Sequence, residues 1–202
     1  MKLYYSPGAC SLASHIALYE TGLAFEAVKV EGRGQKTAGG EEYAKVTPKN
    51  YVPALRMHDG EVLTEGTAIL PYIADLKPAS GLAPAAGTLA RYRLHEWLGY
   101  INSEVHKNFS PFFIPGVTDE QKAVARANLG KRFDFVQQSL DGKDFLLGDG
   151  FTVADAYLFT VLGWCRIVGI DLGQWPTLQA YHKRIVQRPS AQAAMRAEGL
   201  IK

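Results

Sequence analysis

At 202 residues, 47% hydrophobic and 21% charged, the chain has the composition of a globular protein, long enough to bury a sizeable core in one domain or two small ones. A formal net charge of +2, with Lys and Arg scattered and no basic stripe among the aromatics, excludes strong attraction to nucleic acid or anionic membrane. Two distant cysteines, Cys10 and Cys165, exclude a disulfide scaffold and fit a reducing compartment. The N-terminus opens on a strand pattern without a charged and apolar leader, and no run reaches the roughly 18 apolar residues of a membrane span. The expected location is cytoplasmic.

Lys2 to Tyr5 reads as a strand. The Ser6-Pro7-Gly8 turn delivers Cys10 to the first turn of a helix on which Leu12, Ile16 and Tyr19 repeat, with Gly22 as its stop. Backbone N–H groups and the positive end of the helix dipole favour a thiolate at such a position, so Cys10 is expected to titrate below the free value of about 8.5. Phe25 to Val30 is a second strand, and strand, helix and strand predict a right-handed parallel βαβ unit. Gly32 to Gly40 is a loop. Its Gly32-Arg33-Gly34-Gln35-Lys36-Thr37 invites a phosphate-loop reading, but Gln35 stands where that motif needs glycine, which favours a plain flexible loop.

Ala54 to His58 and Glu61 to Leu63 are short strands around the hairpin signal Asp59-Gly60, followed by a helix on Ile69, Tyr72, Ile73 and Leu76. The order βαβ, loop, ββα is thioredoxin-like: four strands of mixed direction with helices on both faces. Lys77 to Gly87 has linker composition, which predicts domains at 1–80 and 88–202 joined through 81–87. The second half reads as all helix. Leu94, Leu98, Ile101 and Val105 define one long helix begun near Thr88. Leu129, Phe133, Val136 and Leu140 define the next, with Thr118 and Gln121 as a capping box. Val153, Tyr157, Thr160, Val161, Trp164 and Val168 define a third; Leu178, Tyr181 and Ile185 a fourth; Ser190 to Ala197 a short last one. Thr152 and Asp155 have capping-box spacing and are assigned to folding, and Cys165 reads as a buried small hydrophobe.

On the second-half helix, His95, Gly99, Asn102 and His106 fall at i, i+4, i+7 and i+11, a stripe apart from the apolar one that also reads as a plain solvated face. The histidines show no ligand spacing and the acids no cluster, so no metal is expected.

Four motifs carry a resemblance: Ser6-Pro7-Gly8-Ala9-Cys10-Ser11, Tyr51-Val52-Pro53-Ala54-Leu55, Thr64-Glu65-Gly66-Thr67-Ala68-Ile69, and Phe151-Thr152-Val153-Ala154-Asp155-Ala156-Tyr157. With Glu104-Val105-His106-Lys107 and the closing Ala197-Glu198-Gly199-Leu200, the chain resembles the bacterial beta class of cytosolic glutathione transferases from end to end. The resemblance implies a homodimer that takes glutathione as co-substrate. Glutathione would lie extended along Tyr51, Val52 and Pro53, with a cis Val52-Pro53 bond presenting the Val52 backbone, where the bare sequence favours an ordinary trans proline at a strand start.

Its γ-glutamyl carboxylate would meet the N–H groups of Gly66 and Thr67 and its ammonium the Glu65 carboxylate, where the plain alternative is a helix capped by Thr64 or Glu65. His106 would aim at Cys10 and the bound thiol, with Lys107 adding positive potential, and Glu104 would reach the partner's glutathione. Gln35 departs from the lysine common in that class, leaving Lys36 as a substitute toward the glycine carboxylate. Gly99 departs from an asparagine, leaving Asn102 as a replacement.

The implied chemistry is a glutathione thiolate beside Cys10 attacking a small hydrophobic electrophile held between the domains, with Phe109, Phe112, Phe113, Tyr157 and Trp164 as candidate contacts or core. Ser11 or Tyr5 would support the thiolate without Cys10. Two rivals stand beside it: a thiol–disulfide oxidoreductase using Cys10 as monothiol nucleophile, and a non-catalytic protein on the same fold.

Overall fold

The computed structural model describes residues 1–31, 35–148 and 150–202, and the chain divides into two compact units, Met1–Ala83 with Gln187–Lys202, and Pro84–Val186. The expected all-helical second domain ran to residue 202. The structure instead groups the last helix with the first unit.

In the first unit, strands β1 (Lys2–Tyr5), β2 (Glu26–Glu31), β3 (Lys36–Thr37), β4 (Ala54–Arg56) and β5 (Val62–Thr64) form one sheet in the order β3-β2-β1-β4-β5. β1 and β2 run parallel, with Lys2 opposite Glu26 and Tyr5 opposite Lys29; every other pair is antiparallel. The sheet has five strands rather than four, because Lys36 and Thr37 pair with Glu31 and Val30 inside the stretch expected to be loop. Gly32, Arg33 and Gly34, the glycine part of the phosphate-loop pattern, lie outside the described residues.

Alternation along β1 sends Leu3 and Tyr5 to one face and Tyr4 to the other. On the first face Tyr5 packs on His15 of helix α1 (Ser11–Thr21), with ring centroids 5.3 Å apart. Helix α1 also packs on α2 (Gly66–Leu76) and on the terminal α8 (Pro189–Ala197). On the second face Tyr4 meets Tyr43 at 5.6 Å, in a cluster with Val30, Val46 and Ala54. Helices were expected on both faces; on this one, among the described residues, Tyr43–Lys45 forms a 3₁₀ turn. α1 ends where expected: Gly22 takes a left-handed φ of 64°, and its N–H reaches the Leu18 and Tyr19 carbonyls.

In the second unit, α3 (Leu89–Tyr100) starts on Thr88, whose hydroxyl accepts the Arg91 N–H. The long helix expected through Val105 is interrupted. Ile101–His106 is a π turn, with the Lys107 N–H bonded to the Asn102 carbonyl, before α4 (Lys107–Phe113) resumes. α5 (Asp119–Ser139) carries the expected Thr118–Gln121 capping box and buries Leu129, Phe133 and Val136. α6 (Val153–Gly163) stops short of Val168; Trp164–Arg166 is a 3₁₀ turn, so Cys165 lies beyond that helix, buried as expected. α7 (Pro176–Val186) buries Leu178, Tyr181 and Ile185.

Asp155 organises this unit. Fully buried, it accepts the Thr152 N–H and hydroxyl on Oδ2 (2.8 and 2.7 Å) and the Leu146 N–H and Tyr181 hydroxyl on Oδ1 (both 2.9 Å). Burial raises its pKa while these donors pull the other way. Among the described residues no helix is long and apolar enough to cross a membrane.

Candidate functional site

The Ser6–Cys10 turn is built from both ends of the chain. The Ala9 N–H bonds to the Ser6 carbonyl (3.0 Å), and Gly8 takes a φ of 71° that L side chains rarely adopt. The Gly8 N–H donates to Glu198 Oε2 at 2.8 Å, while Glu198 Oε1 lies 2.9 Å from His15 Nδ1, both side chains fully buried. Among the described residues His15 Nε2 has no hydrogen-bond partner, so the polar contact of this buried ring is the one between Nδ1 and the Glu198 carboxylate. Glu198 thus ties the turn ahead of Cys10 to the closing segment of the chain.

Cys10 occupies the N-cap of α1 and keeps some contact with solvent. Its thiol donates to the Val52 carbonyl at 3.4 Å. The expected thiolate is not what this environment favours. Burial pushes the thiol up to about 11, against the pull of the Cys10 and Ser11 N–H groups, and the Glu65 charge pushes the same way. The two hydroxyls expected to support the thiolate without Cys10 belong to buried side chains. Ser11 Oγ is buried between the N–H and carbonyl of Ser6 (3.2 and 3.3 Å), and Tyr5 is buried against His15.

The Val52-Pro53 bond is cis, as the resemblance implies. The Tyr51 carbonyl accepts the Tyr43 hydroxyl at 3.1 Å, and the Val52 carbonyl, expected to face a peptide ligand, takes the Cys10 thiol. Beside this edge, Glu65 has a φ of 69° and ψ of 120°, a conformation that costs a non-glycine residue on the order of 1–3 kcal/mol. Its Oε1 accepts Lys49 Nζ and the Tyr51 hydroxyl, both at 2.6 Å, and that hydrogen bond raises the pKa of each donor. The first helical bonds of α2 run from Ala68 and Ile69 to the Glu65 carbonyl, so the Gly66 and Thr67 N–H groups stand ahead of the ladder. Glu65, Tyr51, Gly66 and the Val52-Pro53 edge therefore come together in the first unit. Gln35 and Lys36 are exposed at its β3 edge, where the Gln35 backbone bonds to Glu31 and Tyr43.

In the second unit the π turn ends the regular stripe of His95, Gly99, Asn102 and His106. His95 and Gly99 stay exposed. Asn102 and His106 are drawn in and share one hydroxyl: Tyr157 donates to Asn102 Oδ1 at 3.0 Å and lies 2.7 Å from His106 Nδ1. The reading of this stripe as a plain solvated face fails for these two residues. The His106 ring also meets Trp164 edge-on, with centroids 4.8 Å apart, and burial, seconded by Lys107, brings its pKa down to about 4. Lys107 itself is exposed.

Glu104, expected to serve a partner's ligand, pairs with Arg132 of its own unit at 2.7 Å. Phe109, Tyr157 and Trp164 are buried and belong to the core; Phe112 and the half-exposed Phe113 line a groove of about 490 Å³ with Lys122, Arg126, Ile167 and Val168. Among the described residues, no three His, Cys, Asp or Glu side chains gather as a metal site.

Sequence reasoning missed Lys49 as a partner of Glu65, and the Glu198–His15 pair as the brace of the cysteine turn. Neither has a local signal: Lys49 is one of several loop lysines, and Glu198 and His15 lie 183 residues apart.

The N-terminal domain of the glutathione S-transferases matches residues 3–81, and their C-terminal domain matches residues 100–189. The Escherichia coli O157:H7 glutathione S-transferase GstA is 44% identical over 200 residues, spanning 99% of this chain and 100% of that protein. Among solved structures, BphK, described as a bacterial GST in a ternary complex, is 53% identical with a TM-score of 0.96, over 98% of this chain and 100% of its own. A sphingomonad glutathione S-transferase complexed with glutathione is 52% identical, and the beta-class enzyme of Sphingomonas chungbukensis 51% identical; both have a TM-score of 0.96 over the whole of each chain. With this fold and these full-length matches, the chain belongs to the glutathione S-transferase family, within its bacterial beta class.

Proposed function

We propose that this transferase binds glutathione on its first unit and conjugates its sulfur to small hydrophobic electrophiles. The observation that carries the reading is Glu65: an acidic side chain on strained backbone, steadied by Lys49 and Tyr51, at the start of α2 and beside the Val52-Pro53 edge. That arrangement suits the two opposite charges of a γ-glutamyl group, carboxylate to the helix N-terminus and ammonium to Glu65. The peptide backbone runs along Tyr51, Val52 and Pro53, and the glycine carboxylate takes Lys36 or Gln35. The nucleophile is the glutathione sulfur and not Cys10, whose thiol stays protonated at neutral pH. In this reading His106 and Lys107 favour the thiolate, and aromatic side chains take the electrophile.

A homodimer is part of this reading. Tyr92 and Phe135 are exposed, and Phe135 adjoins Trp97 and Tyr100, an aromatic face of α3 and α5 suited to a second copy. Asn102 and Glu104 are the residues proposed to approach the partner's ligand. A cytoplasmic location fits a substrate supplied by the reduced thiol pool.

The test is the conjugation of glutathione to 1-chloro-2,4-dinitrobenzene by wild type and Cys10→Ala. Retention of most of the rate in the variant is expected; its abolition would move the nucleophile to Cys10. One observation favours that second reading, thiol–disulfide exchange: Cys10 keeps solvent contact while Cys165 is buried. Exchange with a mixed glutathione disulfide, measured on the same variant, separates the two.

A further inference from the structure

We propose that Tyr157, braced by Asn102, is a positioning residue that holds the His106 proton on Nδ1 and so leaves Nε2 as the acceptor of the ring. A phenol has one proton to donate, and Tyr157 donates its own to Asn102 Oδ1, 3.0 Å away. His106 Nδ1 lies 2.7 Å from the same oxygen, so the proton of that hydrogen bond comes from the imidazole. Tyr157 is 3% exposed and sits on α6, while Asn102 and His106 both belong to the π turn facing it. Trp164 closes on the His106 ring from a second side.

The consequence rests on the proposed reading that His106 serves the glutathione thiol. An Nε2 lone pair accepts the S–H hydrogen bond. When the S–H bond breaks, the proton forms the Nε2–H bond and the electron pair stays on sulfur as the thiolate. The imidazolium keeps Nδ1–H on Tyr157, so no other bond rearranges. Burial, seconded by the neighbouring Lys107 charge, favours the neutral ring before a thiol arrives.

The experiment is a long-range ¹H–¹⁵N correlation spectrum of the full chain with ¹⁵N-labelled histidine at neutral pH, the His106 signals being assigned by their loss in His106→Gln. The expected wild-type pattern has a protonated Nδ1 and a bare Nε2. Asn102→Asp keeps an acceptor for Tyr157 and preserves that pattern, whereas Tyr157→Phe, which keeps the ring and its packing, moves the proton wholly or partly to Nε2. A wild-type ring protonated on Nε2, or a pattern unmoved by Tyr157→Phe, overturns the proposal. In turnover, Tyr157→Phe is expected to lower kcat about tenfold or more with the KM for glutathione unchanged. Absence of conjugation by the wild type would sink the functional reading while leaving the tautomer assignment to the spectrum.

Discussion

Cys10 offers the sharpest test of how two opposing influences resolve. The helix N-terminus lowers a thiol pKa and burial raises it, and here burial wins, taking Cys10 to about 11. At pH 7.5 a free cysteine of pKa about 8.5 is roughly one-tenth thiolate, whereas one at about 11 is thiolate in about 0.03% of molecules. Alkylation by iodoacetamide is therefore expected to run about 300-fold slower than on a free cysteine, since only the thiolate attacks. The assay is best run on Cys165→Ala, although Cys165, buried and pushed up to about 12, contributes little. Between pH 7 and 10 the rate should rise about tenfold per pH unit, with the midpoint near 11. A midpoint at or below 8.5 would refute the reasoning and restore the helix dipole as the dominant influence.

Other consequences follow from the buried polar groups. Asp155→Ala strands four donors in the second unit and should cost about 3–5 kcal/mol, read from urea unfolding midpoints, with Asp155→Asn costing less; a loss under 1 kcal/mol would mean that the donors find water. His106 and His182 both titrate near 4 in the fold, against about 6.5 when unfolded, so the unfolded chain binds close to two extra protons at pH 5. Their contribution is complete above about pH 6.5 and lost as pH falls toward 4, and His182→Asn should lessen the pH-dependence of stability by about one proton; an unchanged slope contradicts the assignment. Gly8→Ala places a Cβ at a φ of 71°, 3.4 Å from Leu200 Cδ2, and should destabilise by about 1–2 kcal/mol in thermal unfolding, where a neutral effect would show that the turn relaxes freely.

The strands and helices were legible where apolar periodicity and stop residues agree, as at Leu12 and Ile16 before Gly22, or Thr118 with Gln121. Thr152 and Asp155 were legible because capping boxes are local. Lys36 and Thr37 were not, since two residues give no alternation to read. The π turn was invisible for a related reason: Leu94, Leu98, Ile101 and Val105 remain buried across it, so the apolar repeat hides the one-residue insertion that draws Asn102 and His106 toward Tyr157. The candidate residues Glu65, Tyr51, Val52 and Pro53 came from motif resemblance and are gathered in the first unit. For Cys10, sequence displays the helix start, which lowers a thiol pKa, but not the depth of burial, which raises it. Contacts across long separations, Glu198 with Gly8 and His15 above all, leave no trace in local pattern.

Isothermal titration of reduced glutathione into the wild type and into Glu65→Gln probes the heart of the account. Saturable heat at one tripeptide per chain, with affinity lowered tenfold or more in the variant, a loss of about 1.4 kcal/mol, is the expected pair of results. Wild type that evolves no heat of binding, or a variant that binds as tightly as wild type, would contradict the placing of the γ-glutamyl ammonium on that carboxylate.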